Sequence, residues 1–158
     1  MRVLSEQIDI NAPAELVWDV LANFGGVALW APYMITSHLV GPQDSGPGTR
    51  RAMKHAWGFR FEEQVTEWNE GKGLSFDVHR APFPMRAVQE TWELSRRGER
   101  TVIATRVSYR MGLGILGGFL DWALVRFIVR REMRAGLRGF REYAENEASR
   151  TQAAQFAP

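Results

Sequence analysis

Clusters of turn-forming residues recur through residues 35–110, and this pattern constrains the fold more than any other feature of the sequence. The clusters read GPQDSGPGT, NEGKG, RAPFP and RRGER. The runs between them are rich in β-branched and aromatic residues, which favour β-strands. The pattern predicts six successive strands. Strands joined by short turns form an antiparallel meander, and one face of that sheet must be covered by another element.

The residues before this meander predict one more strand and two short helices. Residues 2–10 alternate between polar and apolar types, which is typical of a strand. Asn11 can cap a following helix, and Pro13 suits the first turn of that helix. In NFGGVALWAPYM, Gly-Gly and Pro flank a short apolar piece, which predicts a second brief helix ending near Trp30.

The remaining element that could cover the sheet begins with residues 111–133, MGLGILGGFLDWALVRFIVRREM. Its first 19 residues contain two charges, Asp121 and Arg126. At the centre of a membrane helix each of these costs roughly 2.5–3.5 kcal/mol, and a membrane span here would leave the sheet uncovered. We therefore predict no transmembrane span, but a long helix that begins near Leu113 and packs on the sheet.

The order of elements and several local motifs resemble one superfamily. The opening INAPAELVWDVLANFGGVALWAPYM looks like its first strand, Pro-initiated helix with a Val-Trp pair, Phe-Gly-Gly and Trp-x-Pro, and GPGTRR looks like its turn into strand three. FEEQVTEWNEGKGLSF resembles strands four and five, TWEL strand six, and LRGFREYAE the end of the last helix. Over nearly its whole length the chain resembles the SRPBCC superfamily of START, polyketide cyclase/dehydrase and birch-pollen-allergen-like proteins.

This resemblance implies the α+β helix-grip fold. In that fold a curved seven-stranded antiparallel sheet wraps around a long C-terminal helix, and two short helices lie between strands 1 and 2. A length of 158 residues corresponds to one ordinary domain. We predict a single ligand-binding domain over residues 1–147, followed by a C-terminal tail over residues 148–158.

The composition excludes several classes of site. The sequence has no Cys, which excludes disulfides, thiolate nucleophiles and Cys-ligated zinc. Its three His occur without an HExxH motif, and it contains neither a GxSxG motif nor a phosphate-binding glycine loop. We therefore predict no metal and no cofactor, and assign no catalytic residue from motifs.

Charge and N-terminal sequence bear on partners and location. The chain has 20 Lys and Arg and 18 Asp and Glu, for a net charge of +2, and its basic residues occur in ones and twos. A nucleic-acid-binding protein usually concentrates basic residues, so we predict no nucleic-acid partner. The N-terminus lacks the continuous apolar core of a signal peptide, which together with the absence of Cys predicts a cytoplasmic protein.

Steps of 100° per residue divide the long helix into faces. One stripe of basic residues should lie in water: Arg126, Arg130, Arg134, Arg138 and Arg141. The opposite side should face the sheet, and it includes Asp121, Trp122, Val125, Val129, Glu132, Gly136 and Tyr143, flanked by Met133, Leu137 and Phe140.

A surplus apolar set lies on the Arg side in the first half of the helix: Leu116, Leu120, Leu124 and Phe127. Three alternatives account for it. The sheet or the short helices of the same domain cover it, a second copy packs on it to form a homodimer, or it contacts a membrane surface.

Alternation along each strand predicts that charged residues share the inward face with aromatic ones. Interior charges must be paired or hydrated, so this mixture favours a cavity over a fully packed core, unless a bulge reverses the alternation. The predicted ligand-binding residues are Met53, His55, Phe61, Glu63, Phe76, Val78, Arg80, Arg86, Glu90, Trp92, Tyr109, Trp122, Val125, Val129, Glu132 and Met133.

Three functions remain open at the level of sequence. The first is binding or transport of a hydrophobic small molecule, lipid-like or polycyclic and aromatic, between sheet and helix. The second is a polyketide cyclase or dehydratase in which His55, Glu63 or Glu90 moves protons. The resemblance is compatible with both, because the superfamily contains enzymes and carriers. The third is an oligomeric or membrane-surface interaction module.

Overall fold

The computed structural model describes residues 1–155, and its seven strands form one antiparallel sheet. The strands are β1 (Arg2–Ile10), β2 (Met34–Val40), β3 (Arg50–His55), β4 (Arg60–Asn69), β5 (Gly73–His79), β6 (Met85–Arg97) and β7 (Arg100–Met111). Their order across the sheet is β1-β7-β6-β5-β4-β3-β2, so every strand of the meander pairs with its neighbour in sequence and β1 closes beside β7.

Two short helices and one long helix complete the fold. Helix α1 (Ala14–Ala22) and a 3-10 helix (Phe24–Leu29) connect β1 to β2. After β7 the chain forms α2 (Gly114–Leu120), a π-helical segment (Asp121–Val125) and α3 (Arg126–Gln155), which follow one another without a break. The predicted helix-grip fold is therefore confirmed.

The start of α1 differs from the predicted cap. The helix begins after Pro13, which has extended backbone, and no side chain caps it. Asn11 lies too far upstream to act as the cap. Its backbone N–H donates instead to the Glu145 carboxylate at 2.8 Å, which joins the β1–α1 connection to the long helix.

The main core lies between the sheet, α1 and the C-terminal half of α3. Trp92 on β6 and Phe140 on α3 meet there, with ring centroids 5.7 Å apart. Helix α3 comes unusually close to the connection before β2, because a Cβ on Gly139 would lie 2.0 Å from the carbonyl oxygen of Trp30. Packing is thus tight at this end of the molecule.

The long helix continues beyond the predicted end of the domain. Helix α3 extends to Gln155, and Ala148 is buried in the main core. The boundary at residue 147 stays a prediction, and residues 156–158 of the predicted tail lie outside the described residues. Within residues 1–155, no helix combines the length and the hydropathy that a bilayer span requires.

Candidate functional site

A cavity of about 280 Å³ lies between the concave face of the sheet and the first turns of α3. Apolar side chains supply most of its wall, and Tyr33, His55, Glu63, Glu90 and Glu132 supply polar atoms. The apolar and aromatic lining comprises Met34, Trp57, Phe59, Phe61, Val78, Ala81, Pro82, Phe83, Pro84, Met85, Val88, Trp92, Val107, Val125, Ile128, Val129 and Met133.

Ten of the predicted binding residues line this cavity. Alternation along the strands brings the side chains of six of them to the concave face, and the remaining four come from the long helix. The ten are His55, Phe61, Glu63, Val78, Glu90, Trp92, Val125, Val129, Glu132 and Met133.

Three predicted residues are buried beside the cavity and do not line it. Met53 packs against the 3-10 helix, and Phe76 packs edge-on against Phe24 with ring centroids 5.5 Å apart. Tyr109 is fully buried and donates its hydroxyl hydrogen bond to Asp121. Their inward direction follows the alternation, but neighbouring side chains fill the space in front of them.

Arg80 and Arg86 were wrongly predicted to face inward. Arg80 follows the end of β5 with a left-handed φ of 59°, and its exposed guanidinium contacts Glu62 at 3.0 Å. A β-bulge interrupts β6 just after Arg86, and Ala87 within it has a φ of 47°. The bulge reverses the alternation, so Arg86 points to solvent while Val88 points inward.

The predicted inward position of Trp122 is also wrong, because its side chain is 57% exposed. The π-helical segment explains this difference. A π turn contains more residues than an α turn and so advances by less than 100° per residue. Trp122 consequently rotates out of the buried side, whereas Asp121 is buried as predicted.

The surplus apolar set is not covered by its own domain. Leu116, Leu124 and Phe127 are exposed, and Leu120 is half-buried. The first of the three alternatives is therefore excluded for the exposed three. Of the basic stripe, Arg130, Arg134 and Arg138 are exposed, and Arg126 and Arg141 are half-buried.

Asp121 anchors the π-helical segment to the edge of the sheet. Its Oδ2 accepts a hydrogen bond from Arg2 Nε on β1 at 2.8 Å, and its Oδ1 accepts one from Tyr109 on β7. The side chain is only 4% exposed, and both contacts offset the loss of water around the carboxylate.

A buried ion pair lies at the end of the cavity nearest the 3-10 helix. Arg51 Nε donates to Glu63 Oε2 at 2.6 Å, and Arg51 Nη1 donates to the carbonyl oxygen of Phe24 at 2.8 Å. Burial raises the pKa of Glu63, and the charge of Arg51 opposes that shift. Strands β3 and β4 place this pair, because Arg51 and Glu63 are direct partners in their register.

The cavity brings the pKa of the Glu90 carboxyl into the neutral range. Its Oε1 accepts hydrogen bonds from Trp92 Nε1 at 2.6 Å and from Thr105 Oγ1 at 3.0 Å. Burial raises its pKa to about 7, and the negative charge of Glu63 acts in the same direction. Near neutral pH this carboxyl can therefore give or take a proton.

His55 and Glu132 form a second polar pair across the cavity. The backbone N–H of Trp57 donates to His55 Nδ1 at 3.1 Å, so the ring proton lies on Nε2. Nε2 in turn donates to Glu132 Oε1 at 3.1 Å. Burial raises the pKa of Glu132, and His55 opposes that shift.

The sequence-based interpretation missed Tyr33 and the apolar mouth of the cavity. Tyr33 stacks on His55 with ring centroids 5.7 Å apart, and burial raises the pKa of its hydroxyl. Gly136 on α3 makes room for that hydroxyl, since a Cβ there would lie 2.6 Å from it. The mouth residues, among them Phe83, belong to turns, where no periodic pattern predicts the direction of a side chain.

No arrangement of three or more His, Asp or Glu side chains suited to a metal ion occurs within residues 1–155. The polar groups at the cavity instead include the pairs Arg51–Glu63 and His55–Glu132, the Tyr33 hydroxyl, and the Glu90 carboxyl with its two donors Trp92 and Thr105. Such an arrangement can orient a polar group of an otherwise apolar ligand, and it can transfer protons.

Solved structures share this fold at low sequence identity. The Thermus thermophilus protein TTHA0849 matches with a TM-score of 0.77 and 20% identity, covering 93% of this chain and 99% of that one. The Zhui aromatase/cyclase from Streptomyces sp. R1128 matches with a TM-score of 0.78 and 16% identity, covering 91% and 93%. The di-domain aromatase/cyclase BexL matches with a TM-score of 0.74 and 18% identity, covering 90% of this chain and 46% of that one.

Sequence comparison gives the family. No curated protein matches the chain by sequence. The family model described as "Polyketide cyclase / dehydrase and lipid transport" matches residues 1–145, which include every strand and all of the cavity. The chain therefore belongs to the polyketide cyclase/dehydrase and lipid transport family.

Proposed function

We propose that this protein binds a hydrophobic small molecule, polycyclic and aromatic or lipid-like, in the cavity between the sheet and α3. The observation that carries the proposal is the lining itself: an apolar wall with a few hydrogen-bonding groups converging from β3, β6 and α3. Ligand pockets commonly have this composition, and the volume is close to the lower end of their usual range, about 300 Å³.

The polar groups indicate what the ligand should carry. A protonated Glu90 and the hydroxyl of Tyr33 are hydrogen-bond donors, so they suit a carbonyl or hydroxyl oxygen. An apolar ligand without such an oxygen would leave the Glu90 proton and the Tyr33 hydroxyl proton without an acceptor, which is costly. We therefore expect a hydroxylated or carbonyl-containing aromatic, or the carboxyl end of a lipid chain.

Binding can be tested by native mass spectrometry of the purified protein, followed by titration with two probes, a bicyclic hydroxyaryl ketone and oleate. Val129→Trp should fill the cavity and lower affinity for the binding probe at least about ten-fold, because the new ring occupies the ligand's volume. Ala123→Trp adds the same side chain at an exposed position of the π-helical segment and should leave affinity unchanged.

Two results would contradict binding. One is a protein that carries no ligand and binds neither probe. The other is equal affinity of both Trp variants for a bound probe. Preference for the ketone over oleate would indicate a polyketide-like ligand, and the reverse preference a lipid.

A second candidate is acid–base catalysis of a cyclisation or dehydration, and Glu90 is the observation that favours it. In a dehydration of a β-hydroxyketone, Glu90 would protonate the departing hydroxyl, while Glu132, held by His55, would take the proton from the carbon beside the carbonyl. One C–O and one C–H bond break, a C=C bond forms, and water leaves.

The catalytic candidate predicts a specific pair of variants. Glu90→Gln should reduce turnover of a bound β-hydroxyketone by about 100-fold or more while affinity changes little, because Gln keeps the acceptor atom but cannot transfer the proton. Glu99→Gln, at an exposed turn position, is the control. Unchanged turnover in both Glu90→Gln and Glu132→Gln would exclude these residues as the acid and base.

A further inference from the structure

Large apolar side chains are exposed on the helical segment that follows β7. From α2 through the π-helical segment to the start of α3, six such residues are exposed, and we name their surface the apolar face: Ile115, Leu116, Phe119, Trp122, Leu124 and Phe127. Ile115 is 93% exposed. Globular proteins rarely leave a contiguous group of large apolar side chains in water unless a partner covers it.

Two turns extend this surface around the mouth. Phe83, in the β5–β6 turn, is 70% exposed, and Trp57, in the β3–β4 turn, is 61% exposed; both also line the cavity. The backbone N–H of Gly112 donates to the carbonyl oxygen of Pro84 at 2.8 Å, which holds the β5–β6 turn against the start of α2. The apolar face and the mouth therefore form one surface.

Charge is distributed unevenly around this surface. Residues 54–61, 79–89 and 110–133, which build the mouth and the apolar face, contain eight basic and two acidic residues. Both acidic residues point inward, since Asp121 contacts Arg2 and Tyr109, and Glu132 contacts His55. The rest of the chain carries twelve basic and sixteen acidic residues, so the positive charge is concentrated at this end.

Several of these basic residues have no acidic partner. Within residues 1–155, Arg86, Arg110 and Arg131 make no ion pair, and all three are exposed. The guanidinium of Arg126 lies 4.7 Å from the ring centroid of Phe127, so positive charge also borders the apolar face directly. A negatively charged partner would neutralise this group of residues.

We propose that the apolar face and the cavity mouth dock on the surface of a bilayer containing anionic lipids. Aromatic and aliphatic side chains would enter the boundary between head groups and acyl chains, and the surrounding Arg and Lys would contact lipid phosphates. Docking in this orientation places the open cavity against the membrane. The inference does not depend on the proposed ligand, because it follows from side chains outside the cavity.

A second copy of the chain fits this surface less well. In a two-fold dimer the same patch meets itself, so the basic residues around one copy would face those around the other. Nucleic acid would also attract the charge, but the aliphatic side chains of Ile115, Leu116 and Leu124 have no flat ring for stacking on bases. A bilayer matches both the charge and the apolar side chains.

The test is co-sedimentation of the full-length protein with phosphatidylcholine vesicles, with and without about one third phosphatidylserine. We expect binding to the anionic vesicles that weakens as salt is added. Ile115→Glu should lower the affinity at least about ten-fold, because it puts a charge into the apolar face. Leu29→Glu is the matched control on the 3-10 helix, where Leu29 is also exposed, and it should bind like the wild type.

Two pairs of Arg residues on the β6–β7 hairpin distinguish lipid binding at the cavity mouth from a general effect of positive charge. Arg86 and Arg110 pair at the mouth end of β6 and β7, and Arg97 and Arg100 pair at the opposite end. Arg86→Gln with Arg110→Gln should weaken binding about five-fold per residue, whereas Arg97→Gln with Arg100→Gln should change it little. Equal losses in the two double variants would overturn the proposed orientation.

The depth to which the exposed Trp side chains enter the bilayer provides an independent test. Trp57 and Trp122 are the two exposed Trp residues among six. Lipids with brominated acyl chains should quench part of the Trp fluorescence of the wild type, and Trp57→Phe with Trp122→Phe should remove that part. Absence of vesicle binding would overturn the proposal. So would stronger binding to an RNA oligonucleotide, or a dimer in light scattering that Ile115→Glu dissociates without any vesicle binding.

Discussion

Glu90 illustrates how a single strand position acquires its properties from its neighbours. Alternation along β6 places it on the concave face with Val88 and Trp92, and this follows from the sequence. Its raised pKa does not, because burial between the sheet and the long helix raises it, the charge of Glu63 on β4 adds to that shift, and the hydrogen bonds from Trp92 and Thr105 oppose it. The residue type is visible in the sequence, whereas its acidity depends on packing.

The pKa of Glu90 predicts a pH dependence of stability. The pKa rises from 4.5 in the unfolded chain to about 7 in the native protein, so between these values the native state holds a proton that the unfolded state releases. The free energy of unfolding should therefore fall as pH rises across this window, with a contribution of roughly 3 kcal/mol from this residue.

Urea denaturation at about pH 5 and about pH 8 measures this effect. Glu90→Gln should show a smaller decrease than the wild type, because its amide is neutral throughout and keeps the acceptor for Trp92 and Thr105. Glu99→Gln should retain the wild-type decrease. Identical decreases in wild type and Glu90→Gln would show that Glu90 titrates normally.

At the scale of elements, local departures from regular geometry decide which side chains reach the cavity. The bulge at Ala87 turns Arg86 outward, and the π-helical segment turns Trp122 outward. Sequence periodicity assumes two residues per strand repeat and 100° per helical residue, so it fails at these positions. At the other positions the same assumption places six predicted residues of the strands and four of the long helix on the cavity wall.

Two glycines of the long helix should respond in opposite ways to Ala. Gly139→Ala should lower the free energy of unfolding by roughly 1–3 kcal/mol, because the new Cβ would lie 2.0 Å from the Trp30 carbonyl oxygen and the backbones would have to separate. Gly118→Ala should raise it by about 0.5–1 kcal/mol, because nothing lies within 4 Å and Ala favours a helix. Chemical denaturation of both variants tests whether α3 packs this closely on Trp30. Equal changes in the free energy of unfolding would contradict the close packing.

At the scale of the molecule, the cavity lies between layers and therefore couples ligand binding to global stability. Its wall includes residues from β3 to β7, the β5–β6 turn and α3, so unfolding of either layer destroys the site. The distribution of charge is also a property of the whole molecule, because basic residues that are scattered along the sequence lie close to the cavity mouth. Neither the cavity nor this charge distribution can be predicted from a short segment of the sequence.

Ligand binding should consequently raise the melting temperature. At a ligand concentration about 100 times Kd, the free energy of unfolding increases by about 2.7 kcal/mol, which corresponds to a shift of about 5–10 °C for a domain of this size. Val129→Trp should show almost no shift with the same probe, and Ala123→Trp should shift like the wild type. A full shift in Val129→Trp would place the ligand outside this cavity.

The sequence by itself determined the order of elements, the antiparallel meander, the helix-grip fold and the concave-face position of most strand residues. The order of elements, the meander and the strand positions follow from hydrophobic periodicity and turn chemistry, which act between residues close in the chain, and the helix-grip fold is what the family resemblance implies. Only the tertiary structure decided that Tyr33 and the turns complete the cavity, that Glu90 has an altered pKa, and that the apolar face is exposed beside Arg residues that make no ion pair within residues 1–155. Those properties arise from contacts between residues distant in sequence, where burial and charge depend on three-dimensional neighbours.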